Sequence, residues 1–248
     1  MTDPELEPLP HGVLETLRQV STSTVATQLY KRGFRQPQLL GVKPLSQVAD
    51  GFVGEAFTMR FIPMREDVDG LDPYRSGNTL QWEAFESLQP GQVLVVDSYR
   101  TATAASGGDM LITRAWKRGA AAVVTDGGLR DGHTLAQLPF PTYASQVTIT
   151  TRAAAHHVAD LQVPIGCAGV AVYPGDVLIG DRDGVLVVPR ALAAEIAEQG
   201  LEQEQLEAFV NKKIHAGEPL WGNYPPREEV KAEYKASLTA GDPRGTAR

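Results

Sequence analysis

This chain has a single cysteine, Cys167, so no disulfide can close within it and no cysteine-based metal site can form. No long run of lysine or arginine stands out, and the formal net charge is −7; a general nucleic-acid or anionic-membrane surface would need a concentrated basic patch. No stretch approaches the roughly twenty apolar residues that span a bilayer. Met1 to Pro10 is acidic and proline-rich, where a signal peptide would be basic and then apolar. These absences point to a cytoplasmic protein. The Gly-x-Gly-x-x-Gly fingerprint, the Walker loop and the His-Glu-x-x-His zinc motif are missing as well. No repeat, low-complexity tract or linker divides the 248 residues, and 42% hydrophobic with 21% charged is an ordinary globular composition.

What is present reads as an α/β chain. Residues 1–10 suggest a flexible leader, 11–220 a single domain and 221–248 a C-terminal extension, either mobile or packed on a neighbouring subunit. Hydroxyls at Ser21 to Ser23 can cap a helix through Val25, Leu29 and Tyr30 that stops at Gly33. Alternation from Val53 to Phe61 predicts a half-buried strand; Pro63 to Asn78 reads as loop and Thr79 to Leu88 as a helix. Val93-Leu94-Val95-Val96 and Ala121-Ala122-Val123-Val124 are continuous apolar runs, as in strands covered on both faces. Between them Asp109 to Arg118 reads as a helix closed by Gly119, which makes a parallel βαβ unit. Further strands are expected at Thr142–Ser145, Gln146–Thr150, Gly169–Tyr173, Val177–Gly180 and Val185–Val188, forming a β-rich layer. Ala191 to His215 reads as a long helix, with Gly200 the point at which it would break.

In such a unit the helix starts at the carboxyl edge of the first strand, and the loop after the second strand reaches the same edge. Gly107-Gly108-Asp109-Met110-Leu111 and Gly127-Gly128-Leu129-Arg130-Asp131-Gly132 should therefore meet. The first would present helix N-terminal amides, which attract a carboxylate or phosphate. Arg130 offers a planar fork for a carboxylate. Asp131 is a hard oxygen ligand suited to Mg²⁺ or Mn²⁺, and Asp109 could orient water or act as a base. On spacing alone a plainer reading leads: Asp109 as an early-helix acid, and Arg130–Asp131 as a surface pair. His133 reads as a surface histidine, His156-His157 as part of a helix without an acidic partner, and Asp181 and Asp183 as hairpin-turn residues.

Asp109, twenty residues, then Arg130-Asp131 resembles the Asp-x20-Arg-Asp motif of the RraA-like family, which includes 4-hydroxy-4-methyl-2-oxoglutarate aldolases that also decarboxylate oxaloacetate, and regulators of ribonuclease activity A. Val53-Gly54-Glu55-Ala56-Phe57-Thr58, Gly119 through Gly127, Pro174-Gly175-Asp176 and Asp183-Gly184-Val185 through Pro189 are similar to other family segments. The resemblance implies a β-rich swivelling (β/β/α) core with a long C-terminal helix, assembled as a homotrimer or dimer of trimers with sites at subunit interfaces. It implies that amides of Gly108, Asp109, Met110 and Leu111 hold a pyruvoyl carboxylate and that Arg130 binds substrate and steadies an enolate. Asp131 would ligate Mg²⁺, or Mn²⁺ or another divalent ion, and Asp109 would position water on it. Glu204 and Glu207 are the two matches for a glutamate contributed by a neighbouring subunit. Regulatory members tend to lack the first aspartate, so its presence here favours a metal-dependent aldolase and 2-oxo-acid decarboxylase over a non-catalytic ribonuclease regulator. The chain departs from the family at Val25-Ala26-Thr27-Gln28-Leu29, where Val-Ser-Asp-Ala-Leu is frequent, which leaves that aspartate's role without a carrier.

Overall fold

Hydroxyl caps start two of the helices at the positions where the sequence offers them. The structure, a computed structural model, describes residues 7–46, 51–69 and 79–239. After the short α1 (Val13–Leu17), the Ser21 hydroxyl accepts the Thr24 amide and opens α2 (Thr22–Lys31); Gly33, left-handed at φ 91°, follows its end. Thr79 caps α3 (Leu80–Ser87) through the Trp82 amide. The remaining helices are α4 (Asp109–Lys117), the single-turn α5 (Gly132–Leu135), α6 (Ala193–His215) and α7 (Glu228–Thr239).

The sheet is organised by one long strand. In chain order the strands are β1 (Lys43–Pro44), β2 (Phe52–Pro63), β3 (Gln92–Asp97), β4 (Ala122–Thr125), β5 (Gly128–Leu129), β6 (Thr142–Ala144), β7 (Gln146–Val147), β8 (His156–Leu161), β9 (Val177–Gly180) and β10 (Val185–Val188). Eight of them form a mixed sheet in the order β1-β6-β4-β3-β2-β9-β10, with β8 paired to β2. The first part of β2 pairs antiparallel with β9, its middle parallel with β3, and its end antiparallel with β8. β3, β4 and β6 continue in parallel, and α4 crosses over between β3 and β4 as the apolar runs require. Leu94, Val96 and Val123 face a core with Phe85, Ile112 and Phe140; Val93, Val95, Ala122 and Val124 face another with Cys167, Val172 and Val187. Alternate side chains of one strand thus feed two cores. A third core joins α1, α2 and α6 to β2, β9 and β10.

Several expectations are corrected here. β2 is buried on both faces over most of its length: on the side that read as open, Ala56 lies in the core with Cys167 and Val172, and Gly54 and Thr58 are buried too. His156-His157 opens strand β8, since pairing with β2 overrides the helical look of the alanines before it, and His157 pairs with Asp69. Gly169–Tyr173 is not a strand; a 3₁₀ turn over Cys167–Gly169 precedes a single bridge between Ile165 and Val172. The strand expected over Gln146–Thr150 covers only Gln146–Val147. α6 runs unbroken through Gly200, where a Cβ would come within 2.9 Å of Val20 Cγ1; the glycine permits close packing instead of ending the helix. In the C-terminal extension, α7 packs on α6 of its own chain through Phe209–Tyr234 and Lys213–Glu233 contacts. Glu7 of the expected leader is held by Arg190 through its carbonyl; residues 1–6, 70–78 of the expected loop and 240–248 of the tail lie outside the described residues.

Gly54 gives the sheet a sharp test. A Cβ there would lie 2.3 Å from the Gly91 carbonyl oxygen and 2.9 Å from Val93 Cγ2, and a backbone atom cannot rotate away. Gly54→Ala is expected to destabilise the fold by about 2 kcal/mol through overpacking. Urea unfolding would show a lower midpoint at an unchanged slope, and an unchanged midpoint would refute the packing described.

Candidate active site

The two glycine-cut segments meet at the carboxyl edge of β3 and β4. The Arg130 amide donates to the Gly107 carbonyl at 2.9 Å, and the Asp109 amide to Asp131 Oδ2 at 3.3 Å. Gly108 precedes α4 and has no side chain to cap it, so the first-turn amides turn to the carboxylates of the crevice instead, Asp109's to Asp131 and Met110's to Asp109. A Cβ on Gly108 would lie 2.6 Å from Asp131 Oδ2, so only glycine leaves room for the carboxylate at the helix start. Asp131 is left-handed at φ 61°, a conformation costly for a residue with a side chain and found where a site imposes it. Asp109 Oδ1 accepts the Met110 amide at 2.7 Å, and Met110 itself points outward, 82% exposed.

Arg130 is the decisive group. Half-buried, its guanidinium makes no hydrogen bond or ion pair among the described residues, with Asp109 and Asp131 included. A half-buried cation without an internal partner is poised for an external anion.

The Arg-Asp pair stands on a small ledge. β5 and β7 pair in parallel as a two-stranded sheet apart from the main one, and Ala105 bridges to Gly128 on the other side. Behind it, Asp126 is buried and accepts amides from Ser98 at 2.7 Å, Ala168 at 3.0 Å and Arg100 at 3.1 Å. Arg100 (φ 59°) and Ala168 (φ 49°) are themselves left-handed, so one carboxylate secures two strained turns beside the crevice. Burial pushes the Asp126 carboxyl up, while the Ala168 and Ser98 amides pull it back. The folded state therefore keeps this proton to higher pH than the unfolded chain, and the carboxylate form weakens the fold as pH rises through that window. Sequence reasoning gives Asp126 no role; a polar pair, Thr125-Asp126, ending an apolar strand is the available signal.

Other expected residues lie elsewhere. Glu204 Oε1 accepts the Ser21 amide at 2.9 Å and hydroxyl at 2.6 Å, and Glu207 accepts Gln203 Nε2 at 2.7 Å, on the helix that packs against α1 and α2. Within one chain neither belongs to the crevice. His133 is exposed beside Gln137 at 3.2 Å. Asp181 serves its hairpin, accepting the Asp183 amide at 2.8 Å, and also binds the Thr22 hydroxyl at 2.8 Å. Burial pushes the Cys167 thiol well up, which makes it inert as a nucleophile. Among the described residues no three His, Cys, Asp or Glu side chains cluster as a metal cage, and no helix is long and apolar enough to cross a membrane.

The RraA-like family (Aldolase/RraA) matches residues 22–187, a span that holds the crevice, both flanking strands and the ledge. This chain belongs to the RraA-like family. An RraA-like relative from Halalkalibacterium halodurans, provisionally named a 4-hydroxy-4-methyl-2-oxoglutarate aldolase, is 30% identical over 192 residues, 69% of this chain and 90% of its own. A 4-hydroxy-4-methyl-2-oxoglutarate aldolase of Thermus thermophilus is 35% identical over 112 residues, 45% of this chain and 68% of its own. Among solved RraA-like structures, Streptomyces coelicolor RraAS2, described as an unusual member of the RNase ES inhibitor RraA protein family, superposes with a TM-score of 0.75. It is 31% identical, over 83% of this chain and all (100%) of that one. The expected α/β architecture with its long C-terminal helix is that of these RraA-like neighbours.

Proposed function

We propose that this protein is a lyase that cleaves a 4-hydroxy-2-oxo acid to pyruvate and a carbonyl product, and decarboxylates oxaloacetate at the same site. The observation that carries the reading is the half-buried Arg130 guanidinium, without a partner among the described residues, on the loop whose Asp131 carboxylate meets the Asp109 amide at the start of α4. The backbone amides from Gly108 to Leu111 bind the substrate carboxylate, which replaces the Asp131 and Asp109 side-chain oxygens at the Asp109 and Met110 amides, and Arg130 binds the oxygen on which enolate charge develops. Asp109 orients the water that receives the C4 hydroxyl proton.

The donor set suits a hard divalent ion that keeps most of its waters: the Asp131 carboxylate lies at the start of α4, where its Oδ2 meets the Asp109 amide, and among the described residues too few ligands gather for a protein cage. Asp131, with Asp109 beside it, would hold Mg²⁺ or Mn²⁺, which when bound supplies Lewis acidity at the 2-oxo group. The same reading carries a trimer or dimer of trimers, in which Glu204 or Glu207 of a second copy reaches the crevice. Family relatives named as aldolases support catalysis, and the Streptomyces structure's description supports the rival, a regulator of a ribonuclease.

The deciding experiment is pyruvate release from oxaloacetate and from 4-hydroxy-4-methyl-2-oxoglutarate, with Mg²⁺ and with chelator. Release that the chelator abolishes is expected. Absence of release from both substrates, together with ribonuclease inhibition, would place the protein with the regulators.

A further inference from the structure

Beneath the crevice lies a polar cluster to which the proposed chemistry assigns no part. Ser98 follows β3, Ser106 precedes the Gly107-Gly108 turn, and Thr125 ends β4; they are 0%, 1% and 0% exposed. Ser98 Oγ lies 2.7 Å from Ser106 Oγ and 3.2 Å from Thr125 Oγ1, and Ser106 Oγ lies 2.9 Å from Thr125 Oγ1. Each hydroxyl donates once, so a closed ring uses every proton, and a remaining lone pair on Thr125 Oγ1 accepts the Gly127 amide at 3.0 Å.

The ring joins the segments that must be kept in register. Ser106 leads directly into the turn before Asp109, and its own amide donates to Gly128 at 2.7 Å, two residues from Arg130. Its carbonyl is held by Gln81 Nε2 from α3 at 2.7 Å. Thr125 leads into Gly127, which sits so close that a Cβ would lie 2.6 Å from Ser98 Oγ and 2.8 Å from Ser106 Oγ. Apolar side chains could fill this space without the desolvation that buried hydroxyls incur. Hydrogen bonds add direction: they fix how far apart two loops stand, where apolar contacts let them slide.

We propose that the Ser98–Ser106–Thr125 hydroxyl ring is a positioning element that sets the spacing between the α4 N-terminus and the Arg130–Asp131 loop. The inference rests on reading that crevice as the reacting site. Thr125→Val keeps the side-chain shape and removes the hydroxyl, whereas Thr125→Ser keeps the hydroxyl. Thr58→Val is the structural control, deleting another fully buried hydroxyl that donates to the Val163 carbonyl at 2.7 Å.

Thr125→Val is expected to lower kcat/KM for pyruvate release about tenfold or more, as small misplacements of reacting groups do. Amide hydrogen exchange across residues 107–111 and 127–132 should accelerate in the same variant. Thr125→Ser should restore both, and Thr58→Val should move neither. Wild-type turnover and exchange in folded Thr125→Val would overturn the proposal. So would Thr125→Ser as impaired as Thr125→Val, or the same losses in Thr58→Val. Should Thr125→Val fail to fold, Ser106→Ala removes one ring member and carries the same expectations. If the wild-type protein releases no pyruvate, the assigned reaction falls, and amide exchange alone decides the positioning role.

Discussion

Arg130→Ala is expected to cut pyruvate release by about a thousandfold while leaving the melting temperature nearly unchanged, the upper range for losing one donor to a developing anion. The two halves of that expectation come from one fact. A guanidinium without hydrogen bonds or ion pairs among the described residues contributes little to folding by its charge, so its removal should register at the substrate. Arg130→Lys should recover only a small part of the activity, because an ammonium cannot present the planar two-pronged donor that a carboxylate accepts. Steady-state kinetics beside thermal melts would decide it. Unchanged turnover in Arg130→Ala would sink the site assignment; a large fall in melting temperature would contradict the contacts described.

Gly108→Ala separates chemistry from folding in another way. Gly108 has φ −136° and ψ −173°, extended backbone that alanine adopts freely, so the chain itself should accept the substitution. The added methyl would stand 2.6 Å from Asp131 Oδ2, the mobile end of a side chain. Asp131 should swing aside at little cost in stability, and with it goes the oxygen that would face the ion and the substrate. The expected outcome is about a hundredfold lower kcat/KM. Mn²⁺ affinity, read by titration, should weaken in parallel, with a melting temperature within about 2 °C of wild type. Wild-type kinetics and Mn²⁺ affinity would show that the carboxylate position is irrelevant.

How much of this could be read from the chain differs from element to element. The βαβ unit was legible because Val93–Val96 and Ala122–Val124 are apolar at every position and a glycine-closed helix lies between them. β8 was misread because Arg152–Ala155 looks helical locally, while the residues that follow are decided by pairing with β2 far away in sequence. Asp109, Arg130 and Asp131 were found by spacing and resemblance, and the contacts at the Gly108 turn explain their meeting. Spacing could not reveal that Arg130 lacks an internal partner, nor that Ser98, Ser106 and Thr125 close a ring. Both depend on side-chain directions that three separate segments determine together. Glu204 and Glu207 were matched by the resemblance; position on a helix does not say which neighbour a carboxylate meets.

The separateness of the β5–β7 ledge bears on how such a protein could diversify. Its outward residues, Gln146 and Val147, are exposed and belong to a two-stranded sheet outside the main ladder. Substitutions there remodel the rim of the crevice without entering any of the three cores. If the proposed function holds, a lineage or a directed-evolution library can vary this rim while inheriting the start of α4 and the Arg130–Asp131 loop intact.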